Sequence, residues 1–94
     1  MLKVDHNKFR RFDYENEPSP NYQLGDVLLK NYKELYPDCE MEQPIEVGVV
    51  IQTFEDGDVR TDMWGMCCES EVRPASLLEV KEYRPKLMED LLIQ

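Results

Sequence analysis

Ninety-four residues supply one folding unit and little apolar surface for a second. The formal net charge is −9, from 20 acidic and 11 basic residues. That balance argues against nucleic-acid binding, which rests on Lys and Arg neutralising phosphates, and against an anionic membrane surface. No apolar run approaches the roughly 20 residues of a membrane helix, and the first residues carry no secretory pattern, so the expectation is a soluble, cytoplasmic chain.

Residues 1–22 read as a polar arm. Lys3, Lys8, Arg10 and Arg11 balance Asp5, Asp13, Glu15 and Glu17, so the whole net charge falls on residues 23–94. Pro18-Ser19-Pro20 forbids helix there. Val4, Phe9, Phe12 and Tyr14 give the arm something to dock with wherever they find a groove. A first strand is expected over 24–30, introduced by Gly25-Asp26, followed by a Tyr-rich excursion over 31–37.

From Asp38 apolar and polar residues alternate, with Cys39, Met41, Gln43, Ile45, Val47, Val49 and Ile51 in phase, the pattern of a half-buried strand. Pro44 cannot donate a ladder hydrogen bond and marks an edge or bulge, so the regular strand is placed at 45–54. The Asp56-Gly57 turn fits two registers. A two-residue loop would set Ile51 opposite Asp62. A three-residue loop with Gly57 left-handed sets Thr53 opposite Val59, Ile51 opposite Thr61 and Val49 opposite Met63. The second keeps one face uncharged and places Gln52, Phe54, Asp58, Arg60 and Asp62 on the other, so it is preferred. It predicts Val47, Val49, Ile51, Val59 and Met63 in one core.

A strand over 59–66 leads to a turn at 65–69 and a short strand over 71–74. Ser76 and Glu79 have capping-box spacing, enough for one helical turn. Residues 80–83 return as a last short strand. Pro85 then opens a terminal helix over 84–94, with Leu87, Met88, Leu91 and Leu92 in one stripe.

Gly25-Asp26-Val27, Gly48-Val49-Val50, Asp56-Gly57-Asp58-Val59-Arg60, Glu71-Val72 and Leu77-Leu78-Glu79-Val80 follow one another in an order that resembles the SH3-like small β-barrels of KOW, Tudor and CarD type. The resemblance runs from residue 23 to about residue 80. It implies a mainly-β fold: an antiparallel SH3-like barrel over 23–83, flanked by the arm of 1–22 and a short amphipathic helix over 84–94. In such barrels the connection between the first two strands contacts partners, here residues 30–43. The fold hosts many functions and selects none. KOW-type nucleic-acid binders are basic, whereas this connection is acidic. Tudor modules use an aromatic cage, for which Tyr32, Tyr36, Phe54 and Trp64 are the candidates.

Catalysis finds little to work with. Ser19, Ser70 and Ser76 lack a neighbouring base in the sequence, and no phosphate-cradling glycine motif is present. Cys39, Cys67 and Cys68 are an odd count with two adjacent, and His6 is the sole histidine, so reduced structural thiols are expected, with no disulfide, metal or cofactor. The expectation is a protein that is not an enzyme. Between Lys33 and Arg60 lie Glu34, Asp38, Glu40, Glu42, Glu46, Glu55, Asp56 and Asp58 and no basic residue. In extended chain Asp38, Glu40 and Glu42 would stand roughly 6.5–7 Å apart on one face, close to the spacing of backbone phosphates. Such a row is either an edge kept repulsive against aggregation or a functional polyanion. Trp64 is either covered by the terminal helix or exposed as an anchor for a partner.

The partner-binding candidates are therefore Glu34, Tyr36, Asp38, Glu40, Glu42, Phe54 and Trp64. The leading expectation is a non-catalytic interaction module for a protein partner with a basic surface, with no direct nucleic acid or membrane contact. The alternative is a nucleic-acid mimic of phage or mobile-element origin that occupies the basic cleft of a DNA- or RNA-handling protein.

Overall fold

The computed structural model describes residues 2–10 and 14–93, with side chains through residue 91. Phe12, one of the expected docking aromatics, lies outside the described residues, as does the Leu92 side chain. Four antiparallel strands form one sheet in the order β3-β2-β1-β4: β1 Val27–Asn31, β2 Ile45–Thr53, β3 Val59–Thr61 and β4 Arg73–Pro74. Two short α-helices, α1 Tyr32–Leu35 and α2 Leu77–Tyr83, accompany 3-10 turns at His6–Lys8, Glu69–Glu71 and Pro85–Ile93. None of the described helices is long and apolar enough to cross a membrane.

The sheet is open, which corrects the expected closed barrel. Its edge strands are three and two residues long and do not pair with each other. β4 ends at Pro74, which has no N–H to extend the ladder. β3 is backed by Cys67, which exchanges bonds of 3.1 and 2.9 Å with Val59.

The hairpin loop forms as the alternation requires. Thr53 pairs with Val59, and Gly57 has φ +96°, in the left-handed region that a Cβ disfavours. Beyond Gln52↔Arg60 the register departs from expectation. A bulge removes Ile51 from the ladder, so Thr61 pairs with Val50 instead. Asp62 then bonds to Val49, and Met63, expected in the core, is left 47% exposed.

The single expected core is in fact two, one on each face of the sheet. Val27, Leu29, Val47 and Val49 meet Val80, Leu87 and Leu91 on one side. Leu28, Val50 and Val59 meet Cys67 and Val72 on the other. Residues 47–53 of β2 are consequently buried throughout. Val50, out of phase with the expected core positions, is packed in this second core with Trp64 against it.

The arm belongs to this packing. Val4 is buried in the first core, its N–H donating to Gly25 O at 2.8 Å, while Leu2 O accepts from Val27 N–H at 3.0 Å. Gly25 is required here: its φ is +88°, and a Cβ would lie 2.3 Å from Val4 O. Farther along, Thr53 Oγ1 donates to Glu17 O at 2.6 Å and Gln52 Nε2 to Glu15 O at 2.7 Å.

Residues 80–83 form helix where a last strand was expected. Ser76 accepts from Glu79 N–H at 3.2 Å and Glu79 accepts from Ser76 N–H at 2.9 Å. This capping box starts a helix that carries on through Val80, which is fully buried. The terminal segment winds as 3-10 turns and lays Leu87 and Leu91 on the first core. It does not cover Trp64, which packs against the second.

Candidate functional site

The connection between β1 and β2 presents most of the predicted partner-binding residues. Asn31 starts it by capping α1, its side chain accepting from Lys33 N–H at 3.0 Å and Glu34 N–H at 3.3 Å. One helical turn later the chain reverses at Pro37-Asp38, with Cys39 N–H donating to Tyr36 O at 2.8 Å. Tyr32 N–H donates to Pro44 O at 2.7 Å and closes the excursion. The sequence reading of a long loop ahead of a strand at Ile45 holds, because the cap and the proline act locally.

Glu34, Tyr36, Asp38, Glu40 and Glu42 are all exposed. Tyr36 is 57% exposed and Met41 44%. Both line a shallow groove together with Tyr32, Leu35, Pro37, Asp38 and Cys39. Lys33, the sole cation of residues 32–44, is tied back through Nζ to Cys39 O at 3.1 Å. The result is an aromatic and thioether surface set among carboxylates.

The acidic row does not lie on a strand. Residues 37–38 form a turn and Glu42 sits at a bend. The apparent alternation over 38–44 is therefore not a pleat. Met41, placed among the inward positions by that alternation, faces solvent instead. Its exposure was legible only from the loop conformation.

Phe54 is elsewhere, and Trp64 adjoins the connection only at its Tyr32 end. Phe54 is half-buried beyond the far end of β2, a strand whose length is about 30 Å at the usual rise per residue. Trp64 lies against Gly48, where a Cβ would come 3.0 Å from its Cη2. Its indole N–H donates to Cys67 Sγ at 3.1 Å. Trp64 and Tyr32 do come together, but around the chain's own Lys30, whose ammonium lies 5.9 Å from the Trp64 ring and 5.0 Å from the Tyr32 ring. Glu71 sits 3.9 Å from that ammonium, and the Lys30 side chain is only 11% exposed. An aromatic pair of this kind attracts a cation, and here an internal lysine fills it. Sequence reasoning missed Lys30. Its signal was a lone lysine beside Tyr32 at the end of a strand.

The thiols are free among the described residues. Burial pushes the Cys67 thiol up, against the indole hydrogen bond and the nearby Lys30 charge that pull it down. Cys68 is raised by the acids around it, Asp58 foremost. Both are thereby held away from the reactive thiolate. Val4 and Phe9, two residues before and three after His6, pack on the first core, whereas Cys67 belongs to the second. The described residues contain no cluster of three or more His, Cys, Asp or Glu able to hold a metal ion.

A second polar assembly lies at the β3 side of the sheet. Asp62, expected on an exposed face, accepts Val49 N–H at 2.8 Å and the Arg84 guanidinium at 3.0 Å. Arg84 also donates to Val47 O at 3.1 Å and stacks 5.2 Å from the Phe9 ring. These partners join β2 to the chain after α2, a pairing with no local signature.

Comparison with protein-family models, with curated proteins and with solved structures finds no match to this chain.

Proposed function

We propose that this chain is a non-catalytic interaction module that binds a basic protein surface through residues 32–44. The observation that carries the reading is the exposure of Tyr36 and Met41 among Glu34, Asp38, Glu40 and Glu42, with Lys33 held against the backbone. Carboxylates steer a cationic partner toward the loop and repel nucleic acid. The tyrosine and methionine provide the desolvated contact. The strand order and the long connection after β1 are compatible with an SH3-like module, in which that connection meets partners. The mimic reading ranks second, because a turn and a bend break the phosphate-like spacing it needs.

The test uses three immobilised proteins: wild type, Tyr36→Ala, and a triple variant with Asp38, Glu40 and Glu42 changed to Lys. A partner retained by the wild type should bind the triple variant with slower association and Tyr36→Ala with faster dissociation. Raising salt should weaken the first contribution and spare the second. Equal retention by all three proteins would dismiss the loop as the binding surface.

A further inference from the structure

Backbone groups along an antiparallel strand point alternately to its two neighbours. In β2 the even-numbered residues face β1: Val50 N–H donates to Asp26 O at 2.9 Å and Pro44 O accepts from Tyr32 at 2.7 Å. The odd-numbered residues of its first half therefore face the β3 side. There Asp62 serves Val49, accepting its N–H through the carboxylate and donating its own N–H to Val49 O at 3.1 Å. Arg84 covers Val47 O. β3 starts pairing only at Val50, and it ends at Thr61. Ile45 N–H, Ile45 O and Val47 N–H thus have no hydrogen-bond partner among the described residues.

This open edge borders a groove rather than a packed layer. Met63 and Tyr83, 47% and 41% exposed, line it, and it continues past Ile45 to Glu42 and Glu82. Its charged lining is Glu42, Glu46, Glu82 and Arg84, and Arg84 is already engaged by Asp62. The free charge is negative.

We propose that an extended, basic segment of a partner protein docks here as an added strand, in the place along β2 that β3 leaves empty. Ile45 and Val47 bond its backbone, Met63 and Tyr83 contact its apolar side chains, and the carboxylates select Lys or Arg between them. A second copy of the chain is a poor occupant. Antiparallel pairing of two such edges, with Ile45 of one copy opposite Val47 of the other, would set the two Glu46 residues directly against each other. The inference rests on the proposed function for the sign of the partner's charge, while the open edge stands on the geometry of β2.

The test titrates a short, end-blocked peptide of alternating Lys and Val into the isotope-labelled full chain at low salt, with amide exchange followed by NMR. At saturation the Ile45 and Val47 amides should exchange about tenfold more slowly, and N-methylating the peptide along its bonding edge should weaken binding about tenfold, the effect of losing one or two hydrogen bonds. Binding that shifts Tyr36 and Met41 without protecting Ile45 and Val47 would overturn the added strand and leave the loop reading standing. Absence of binding at millimolar peptide would overturn both. Protection of the same amides that grows with protein concentration, without peptide, would assign the edge to a second copy and overturn the partner proposed here.

Discussion

Gly48→Ala measures how tightly the Trp64 loop is seated on β2. A Cβ at position 48 would lie 2.7 Å from Thr61 Oγ1, 2.9 Å from Thr61 Cβ and 3.0 Å from Trp64 Cη2. Thr61 cannot rotate away freely, because its hydroxyl oxygen accepts from Met63 N–H at 3.2 Å and Trp64 N–H at 3.1 Å. Displacing it moves the loop that carries the indole. Overpacking of this kind costs about 1–3 kcal/mol, offset by roughly 0.4–1 kcal/mol from the stiffer unfolded chain. Three contacts of 3.0 Å or less must all yield, which places the cost in the upper half of that range, about 2–3 kcal/mol. The net expectation is then a loss of about 1–2.6 kcal/mol, and at about 4–8 °C per kcal/mol for a domain of this size, a clear fall in Tm. Trp64 is the sole tryptophan, so its emission reports the same event and should shift to the red as the ring lifts into water. Gly65→Ala, where no atom lies within 4 Å of the added Cβ, serves as control. If Gly48→Ala melted like wild type with unchanged emission, the packing of Trp64 over Gly48 would be wrong.

Gly57→Ala should lose about 1 kcal/mol in a denaturant titration, since φ at +96° strains any Cβ. Asp62→Ala should lose about 3 kcal/mol in the same assay, because it strips Val49 N–H and the largely buried Arg84 of their acceptor. Arg73 holds the Glu79 carboxyl down at about 2 from its ordinary 4.5. Its stabilisation is therefore complete above pH 4.5 and fades as pH falls toward 2, so Glu79→Gln should flatten that acid limb of a Tm-versus-pH curve. Burial raises the Asp26 carboxyl above its ordinary 3.8, against the Gln23 N–H bond and the Lys3 charge. The folded state then binds the extra proton, and stability declines as pH rises through the folded value; Asp26→Asn should abolish that decline.

Much of the local structure was legible in the residues. Gly57 after Asp56 demanded a left-handed turn, and the structure has one. Ser76 and Glu79 announced a capped helix, though the sequence reading stopped it a turn early, because Val80 was assigned to a strand without knowing that a core awaited it. Pro44 marked the start of β2. Of the site, exposure of the acidic loop followed from its charge and its Tyr36 and Pro37. The positions of Phe54, beyond the far end of β2, and of Trp64, which meets Tyr32 only across Lys30, were not legible, because an aromatic residue carries no label saying which end or face of the sheet it will meet.

What the sequence by itself determined, then, is what nearest neighbours along the chain decide: turns, caps, the β2 strand and the sign of the surface charge. Those rest on backbone sterics and short-range hydrogen bonds, which involve only residues a few positions apart. Only the tertiary structure decided that Ile51 bulges, that both faces of the sheet are covered, that the terminal Leu87 and Leu91 choose the face opposite Trp64, and that Lys30 fills the notch between Trp64 and Tyr32. Burial of apolar surface is non-directional. Alternation can therefore say that a side chain leaves water, while the partner it finds is chosen by the packing of the whole chain.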